Sequence, residues 1–166
     1  MKKLFIVVAF ILISCVAIFS TFKYLNSFDY ICRTSNIEFE DLLNVRLEGS
    51  KVLVFYKETF GNGTEGLGFC SFSKEVYGWK KNCQGAGSCN ERIYMEIYFL
   101  DAKRTIIFGL INDPEISNIK VINNNKDLGF AEIMKTKWKD IWIKYTDVGK
   151  VHIEGYNKEG DKVYPE

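Results

Sequence analysis

The chain has 166 residues, with 22 Lys and Arg against 21 Asp and Glu, one His, 47% hydrophobic and 15% aromatic residues. Near-neutral charge without a run of basic residues excludes a nucleic-acid partner, because phosphate binding needs a clustered basic face. A chain this rich in aromatics with only Pro114 and Pro165 is a folded domain and not a disordered stalk.

The first element is apolar. Leu4 to Phe22 carries no charge and holds only Ser14, Ser20 and Thr21 as polar residues. A helix that crosses the bilayer core needs about 20 apolar residues, so the run predicts an uncleaved transmembrane helix. Residues 1–23 then form a membrane anchor, and residues 24–166 form one β-rich domain. The basic pair Lys2-Lys3 keeps the N-terminus in the cytoplasm and puts the domain outside it, on a single-pass chain at the cell membrane. A rival reading starts at Cys15. Leu12-Ile13-Ser14-Cys15 resembles the cleavage pattern of bacterial lipoproteins, in which Cys15 would become the acylated N-terminus. Val16, Ala17, Ile18 and Phe19 continue the apolar run where lipoproteins usually turn polar, which favours the span. Either reading attaches the protein to a membrane.

Without Lys2, Lys3 and Lys23, 19 basic residues remain against 21 acidic ones. Four cysteines also remain, Cys32, Cys70, Cys83 and Cys89, and an even number in an exported domain reads as two disulfides. Three pairings are possible. Cys83 and Cys89 flank "QGAGS", which reads as a small flexible tip, so a local bridge is expected there. That leaves Cys32 with Cys70. Zinc is disfavoured: no Cys-x-x-Cys pair exists, and His152 lies far along the chain.

After the anchor, Thr34 to Asn44 reads as a short helix. Ser35 and Glu38 have capping-box spacing, and Phe39, Leu42 and Leu43 make an apolar face. From there the period becomes two. "KVLVFYKE" (Lys51 to Glu58) is a strand, "GNGTEG" a turn, and "LGFCSFSKE" the returning partner. "VYGWKKNC" leads to a third strand that ends at the Gly-rich tip. "RIYMEIYFLD", "RTIIFGLI", "SNIKVIN", "GFAEIMKTK", "DIWIKYTD" and "VHIEGYN" follow as strands. Turn signals separate several of them: "DAK", "NDPE", "NNNKD", "DVG" and "NKEGD". "IEGYNKEGDKVY" closes the chain as a hairpin around Lys158-Glu159-Gly160-Asp161. Short strands at this spacing predict a mainly β fold: one short helix after the anchor, then an antiparallel β-sandwich, immunoglobulin-like in its C-terminal half.

The start "MKK" and the motifs "VLVFYK", "YGWK" and "GLINDPEI" give the chain a further likeness. It resembles small membrane-anchored exported proteins of Gram-positive bacteria. That resemblance implies a place at the cell envelope and brings no activity.

Chemistry is sparse. Acyl transfer needs a nucleophile and a base that a third group orients. His152 is the one imidazole, and in "VHIEGY" it shares a solvent-facing strand side with Glu154 and Tyr156. Glu38, Glu40 and Asp41, or Glu96 and Asp101, are candidate carboxylate pairs for glycoside hydrolysis, but they are spaced like surface charges. "GNGTEGLG" joins two strands, whereas a phosphate cradle precedes a helix. "NDPE" and "NNNKD" lack the spacing of a calcium loop. In "WKDIWIKY" the side chains of Trp142 and Ile143 alternate. If the Ile face is core, Trp138 and Trp142 form an exposed aromatic binding patch; otherwise they pack inside.

The expected function is a non-enzymatic interaction module, tethered to the membrane through its N-terminal helix, that meets an envelope protein or glycan and carries no cofactor or metal. The alternative is an exported hydrolase with an unrecognised carboxylate site.

Overall fold

The computed structural model describes residues 16, 18–21, 27, 30, 31, 33, 41–76, 78–88 and 91–165, except for the side chains of Cys83 and Ser88. Residues 16, 18–21, 30, 31 and 33 are helical. Among the described residues no helix is long and apolar enough to cross a membrane. The expected span Leu4–Phe22 falls largely outside the described residues, and so does Cys15. The rest is β: β1 (Leu42–Glu48), β2 (Lys51–Thr59), β3 (Glu65–Glu75), β4 (Gly78–Ser88), β5 (Glu96–Phe99), β6 (Arg104–Leu110), β7 (Asn118–Asn123), β8 (Lys126–Phe130), β9 (Glu132–Met134), β10 (Ile141–Asp147), β11 (Val151–Tyr156) and β12 (Lys162–Tyr164). The chain divides into two compact units, residues 1–58 with 68–86 and residues 59–67 with 87–166.

The first unit is built on a sheet of order β1-β2-β3-β4. Val52 to Tyr56 is an unbroken apolar run and is buried on both faces of β2, as such runs are when both sides of a strand are covered. Val52, Val54 and Tyr56 meet Ile31, Cys70 and Phe72 in one cluster, with Leu42 and Trp79 at its margin. Phe55 and Phe69 pack on the other face, with ring centroids 5.4 Å apart. Gly68 is required where it stands, because a Cβ there would overlap the Tyr56 ring.

Two expectations fail in this region. The helix predicted to reach Asn44 gives way to β1, whose register pairs Leu42 with Tyr56, Val45 with Val54 and Leu47 with Val52. Its apolar residues Leu43, Val45 and Leu47 alternate with Asn44, Arg46 and Glu48, a period of two that pairing with β2 selects over a helical turn. The "QGAGS" stretch is not a tip. It is the end of β4, where Gly87 leaves room for the Tyr94 hydroxyl.

The second unit holds two four-stranded sheets, of orders β5-β6-β10-β9 and β12-β11-β7-β8, in which every neighbouring pair is antiparallel. Ile107 and Trp142 of the first sheet share a core with Ile119, Val121 and Ile153 of the second, and Ile93, Ile111 and Ile116 join them. This shared core makes the unit consistent with a β-sandwich. The loop Asn112–Ser117 carries the chain from one sheet to the other, so the strands around "NDPE" do not pair with each other. The predicted strand "GFAEIMKTK" breaks at Ala131, whose N–H donates to the Ile119 carbonyl at 2.7 Å. Its halves, β8 and β9, lie in different sheets. The "NNNKD" turn narrows to Asn124 and Asn125, at φ 50° and 61°, the positive-φ pair of a two-residue hairpin.

Candidate functional site

The outward face of the β12-β11-β7-β8 sheet gathers the polar and aromatic side chains of the second unit. Along β7, Ile119, Val121 and Asn123 turn inward, and Asn118, Lys120 and Ile122 turn outward; along β11, Ile153 and Gly155 are inward, and His152, Glu154 and Tyr156 outward. Register sets Glu154 beside Lys120 and His152 beside Ile122. It also sets Phe130 and Asp127 of β8 against Lys120 and Ile122, and Lys162 of β12 against Tyr156.

The face is wired by charge and rings. Lys162 Nζ lies 3.0 Å from Glu154, and Lys120 Nζ lies 3.2 Å from Asp127. The Tyr156 hydroxyl donates to Glu154 Oε2 at 2.8 Å. Phe130 and Tyr156 meet edge to face at 5.6 Å, and the Lys120 ammonium lies 5.6 Å and 5.3 Å from their centroids, within cation–π range. The hydrogen bond to Asp127 raises the Lys120 pKa. The Gly129 N–H, and then Lys120, hold Asp127 below the usual carboxylate range. Lys162, and then Tyr156, do the same for Glu154. Phe130 is nonetheless 52% exposed.

Apart from His152, the candidates from sequence fall elsewhere. Trp142 is 0% exposed, so Trp138 and Trp142 do not form an exposed pair. Ile106, Phe108, Leu110, Ile141 and Ile143 are buried on one face of β6 and β10, and Ile107 and Trp142 on the other. Alternation therefore leaves no outward side there. Trp138 is half-buried; its indole N–H donates to Glu65 at 3.1 Å, and Lys139 lies over its ring at 5.1 Å.

Cys70 is a buried thiol, and no disulfide is found among the described residues. The expected Cys32–Cys70 bridge involves Cys32, which lies outside the described residues. Cys32 and Cys89 lie outside the described residues with the side chain of Cys83, and so does the expected Cys83–Cys89 pair. Tyr56 lies beside Cys70 and accepts a hydrogen bond from Gln84 Nε2 at 2.9 Å. Burial, the largest influence, pushes the Tyr56 phenol far above its ordinary value.

The carboxylates divide. Glu38 and Glu40 lie outside the described residues. Asp101 caps a turn, accepting from the backbone N–H of Lys103 and Arg104 and pairing with the Arg104 guanidinium at 2.7 Å. Those contacts, the Lys103 N–H first, hold it down to about 2. Glu96 accepts from the Tyr94 hydroxyl at 2.6 Å. His152 stands exposed on the outward face, opposite the apolar Ile122. No group of three or more His, Cys, Asp or Glu among the described residues is arranged to hold a metal.

Sequence reasoning placed His152, Glu154 and Tyr156 on one side but missed the face they belong to. Alternation in "NIKVIN" marks Lys120 as outward. Phe130 was concealed, because the register shift between Lys120 and Ile122, at Gly129 with φ 75°, breaks the alternation of β8. Comparison with protein-family models, curated proteins and solved structures finds no match for this chain.

Proposed function

We propose that the protein is a non-enzymatic interaction module tethered at the cell envelope, and that the outward β12-β11-β7-β8 face makes its contact. The observation that carries this is Phe130: a ring 52% exposed, held edge to face by Tyr156 on a sheet face that also carries Lys162, Glu154, Lys120 and Asp127. An exposed sheet face with a held aromatic suits a macromolecular surface, where aromatic anchors supply much of the binding energy. Small substrates need a concave site.

Strand order supports an immunoglobulin-like reading of the second unit. With β5 to β12 lettered A, B, C, C′, D, E, F and G, the sheets read A-B-E-D and G-F-C-C′, the immunoglobulin order with C′ added. Ile107 on B and Ile153 on F share the core, on the two strands that antibody domains join with a disulfide. The tether rests on the uncharged run Leu4–Phe22. Exposed apolar side chains at the helical residues Val16, Ile18 and Phe19 support it too, since lipid accepts such a surface and water does not.

Photo-crosslinking tests the contact. A benzophenone side chain at position 130 of the full chain, activated in membranes, is expected to capture a macromolecule. Absence of any adduct overturns the reading. A hydrolytic activity lost in His152→Ala would overturn the non-enzymatic part.

A further inference from the structure

We propose that the outer edge of β1 is an interface, and that its occupant is the β1 edge of a second copy, paired antiparallel to the first. This surface lies in the first unit, apart from the Phe130 face of the second. β1 ends its sheet, with β2 on one side and, among the described residues, no strand on the other. Its exposure is inverted. Val45 and Leu47 are 40% and 70% exposed, whereas the polar Asn44, Arg46 and Glu48 are half-buried. Leu47 is the most exposed large apolar side chain on any described strand. Sheet edges left open to water are usually guarded by exposed charge.

The hairpin sets the backbone directions. Glu48 and Lys51 flank the two-residue turn Gly49-Ser50 and so form a hydrogen-bonded pair. Such pairs alternate along an antiparallel ladder. Glu48 and Arg46 direct their backbone groups to β2, and Leu47 and Val45 direct theirs to the open edge. A second β1 offers the same outward residues, which limits two-fold pairing to registers centred on Val45, Arg46, Leu47 or Glu48. Centring on Arg46 or Glu48 sets that charge against itself. Centring on Val45 runs each strand into the register shift between Leu42 and Asn44 of the other. Centring on Leu47 has neither fault. Leu47 then exchanges two backbone hydrogen bonds with Leu47 of the other copy, and Arg46 of each copy faces Glu48 of the other. Val45 lies against Gly49 of the other copy, which has no side chain to obstruct it. The Arg46–Glu48 pairs fall at non-hydrogen-bonded positions, where opposed side chains stand closest and opposite charges stabilise. The patch is thus self-complementary, as an isologous contact requires.

The axis of this pairing stands normal to the sheet, so corresponding faces of the two copies stay on the same side. Register puts Val45 and Leu47 beside Val54 and Val52, on the face that Ile31 covers. Both Ile31 faces look the same way, as two chains tethered in one membrane require. The paired stretch, Val45 to Gly49, is about 16 Å long. Stable soluble complexes bury about 800 Å² per partner, more than one strand edge of that length covers. The dimer is weak in solution and gains from confinement to one membrane, which raises the effective concentration.

Sedimentation equilibrium of the detergent-solubilised full chain, carried to millimolar concentration, tests this. Wild type is expected to dimerise reversibly. L47K puts like charges together on the axis, and R46E and E48R each set like charges face to face beside it. Each is expected to weaken the dimer more than about tenfold. An equimolar mixture of R46E and E48R opposes an acid to a base in both cross-pairs, so association should return as a heterodimer, and mixing repairs no pair within either chain. Circular dichroism melts identify a variant that fails to fold; L47K, at an exposed position, carries the test if R46E or E48R does. A wild type that stays monomeric, an L47K chain that dimerises as wild type does, or a mixture of folded R46E and E48R that stays monomeric overturns the inference. Crosslinking at position 130 reads the other surface, so failure there and failure at this edge are told apart.

Discussion

Trp142 reaches the Tyr94 carbonyl across Gly109. Its indole N–H donates at 3.2 Å, and Gly109 is its register partner on β6. A Cβ at Gly109 would overlap that carbonyl and stand 2.9 Å from the indole nitrogen. Tyr94 and Leu110 also exchange backbone hydrogen bonds, so the indole, the glycine and the entry to β5 are fixed together. Trp142→Ala is expected to cost about 3–5 kcal/mol of stability, as truncation of a buried aromatic does. Gly109→Ala should cost about 1–3 kcal/mol by overpacking. Thermal melts of both variants check this; a Trp142→Ala protein as stable as wild type would return the indole to the surface.

That tryptophan also shows where sequence pattern stops informing. β7 and β11 alternate cleanly, since one face is core and the other solvated, and both were legible with their outward Lys120, His152, Glu154 and Tyr156. β10 is buried on both faces over Ile141–Ile143, so alternation in "DIWIKY" marks two interiors there and could not say which side was wet. Phe39, Leu42 and Leu43 imitate a helical stripe, while the pairing that makes β1 a strand comes from β2. Glycines in "QGAGS" read as a turn by local propensity. Gly87 instead serves a contact with Tyr94, seven residues on, which propensity does not contain.

Cys70 gives a direct redox test. Its thiol is enclosed by Val52, Val54, Tyr56 and Phe72, so it is expected to resist alkylation in the native protein and to react once the first unit opens. Iodoacetamide labelling under non-reducing conditions, read by peptide mass with and without denaturant, follows this. A Cys70 peptide that stays unlabelled in denaturant until a reductant is added would establish a disulfide there.

Acid should destabilise the protein in a defined window. Asp101, Asp113, Asp127 and Glu154 all have depressed folded-state pKa values, Asp101 at about 2. Below the ordinary carboxylate value of about 4 the unfolded chain binds protons that the folded chain does not. Stability from these groups is therefore complete above that value and is lost as pH falls through the folded values. Melting temperature is expected to change little between pH 7 and 5 on their account and to fall from about pH 4 toward 2. Asp101→Asn should flatten part of that fall, and an unchanged slope would count against the turn-capping role of Asp101.

Asn123 clamps the end of the second unit. Its Nδ2 donates to Thr146 Oγ1 at 2.7 Å and to the Asp147 carbonyl at 2.9 Å, which fixes the amide so that Oδ1 lies against Gly149. The adjoining Asn124 exchanges backbone and side-chain bonds with Lys150. Asn123→Ala removes two bonds made by a buried amide, costing about 1–3 kcal/mol. Asn123→Asp keeps the shape but turns a carboxylate oxygen toward the Asp147 carbonyl, and should cost more at neutral pH. Burial and that carbonyl favour the protonated acid, so the aspartate's folded-state pKa rises above its unfolded value. The folded variant then holds the extra proton, and its deficit relative to wild type should shrink as pH falls from 7 toward 4, the opposite direction to the native carboxylates. Chemical denaturation of wild type and N123D at both pH values separates the two; a deficit that grows on acidification would remove the Asp147 contact from the account.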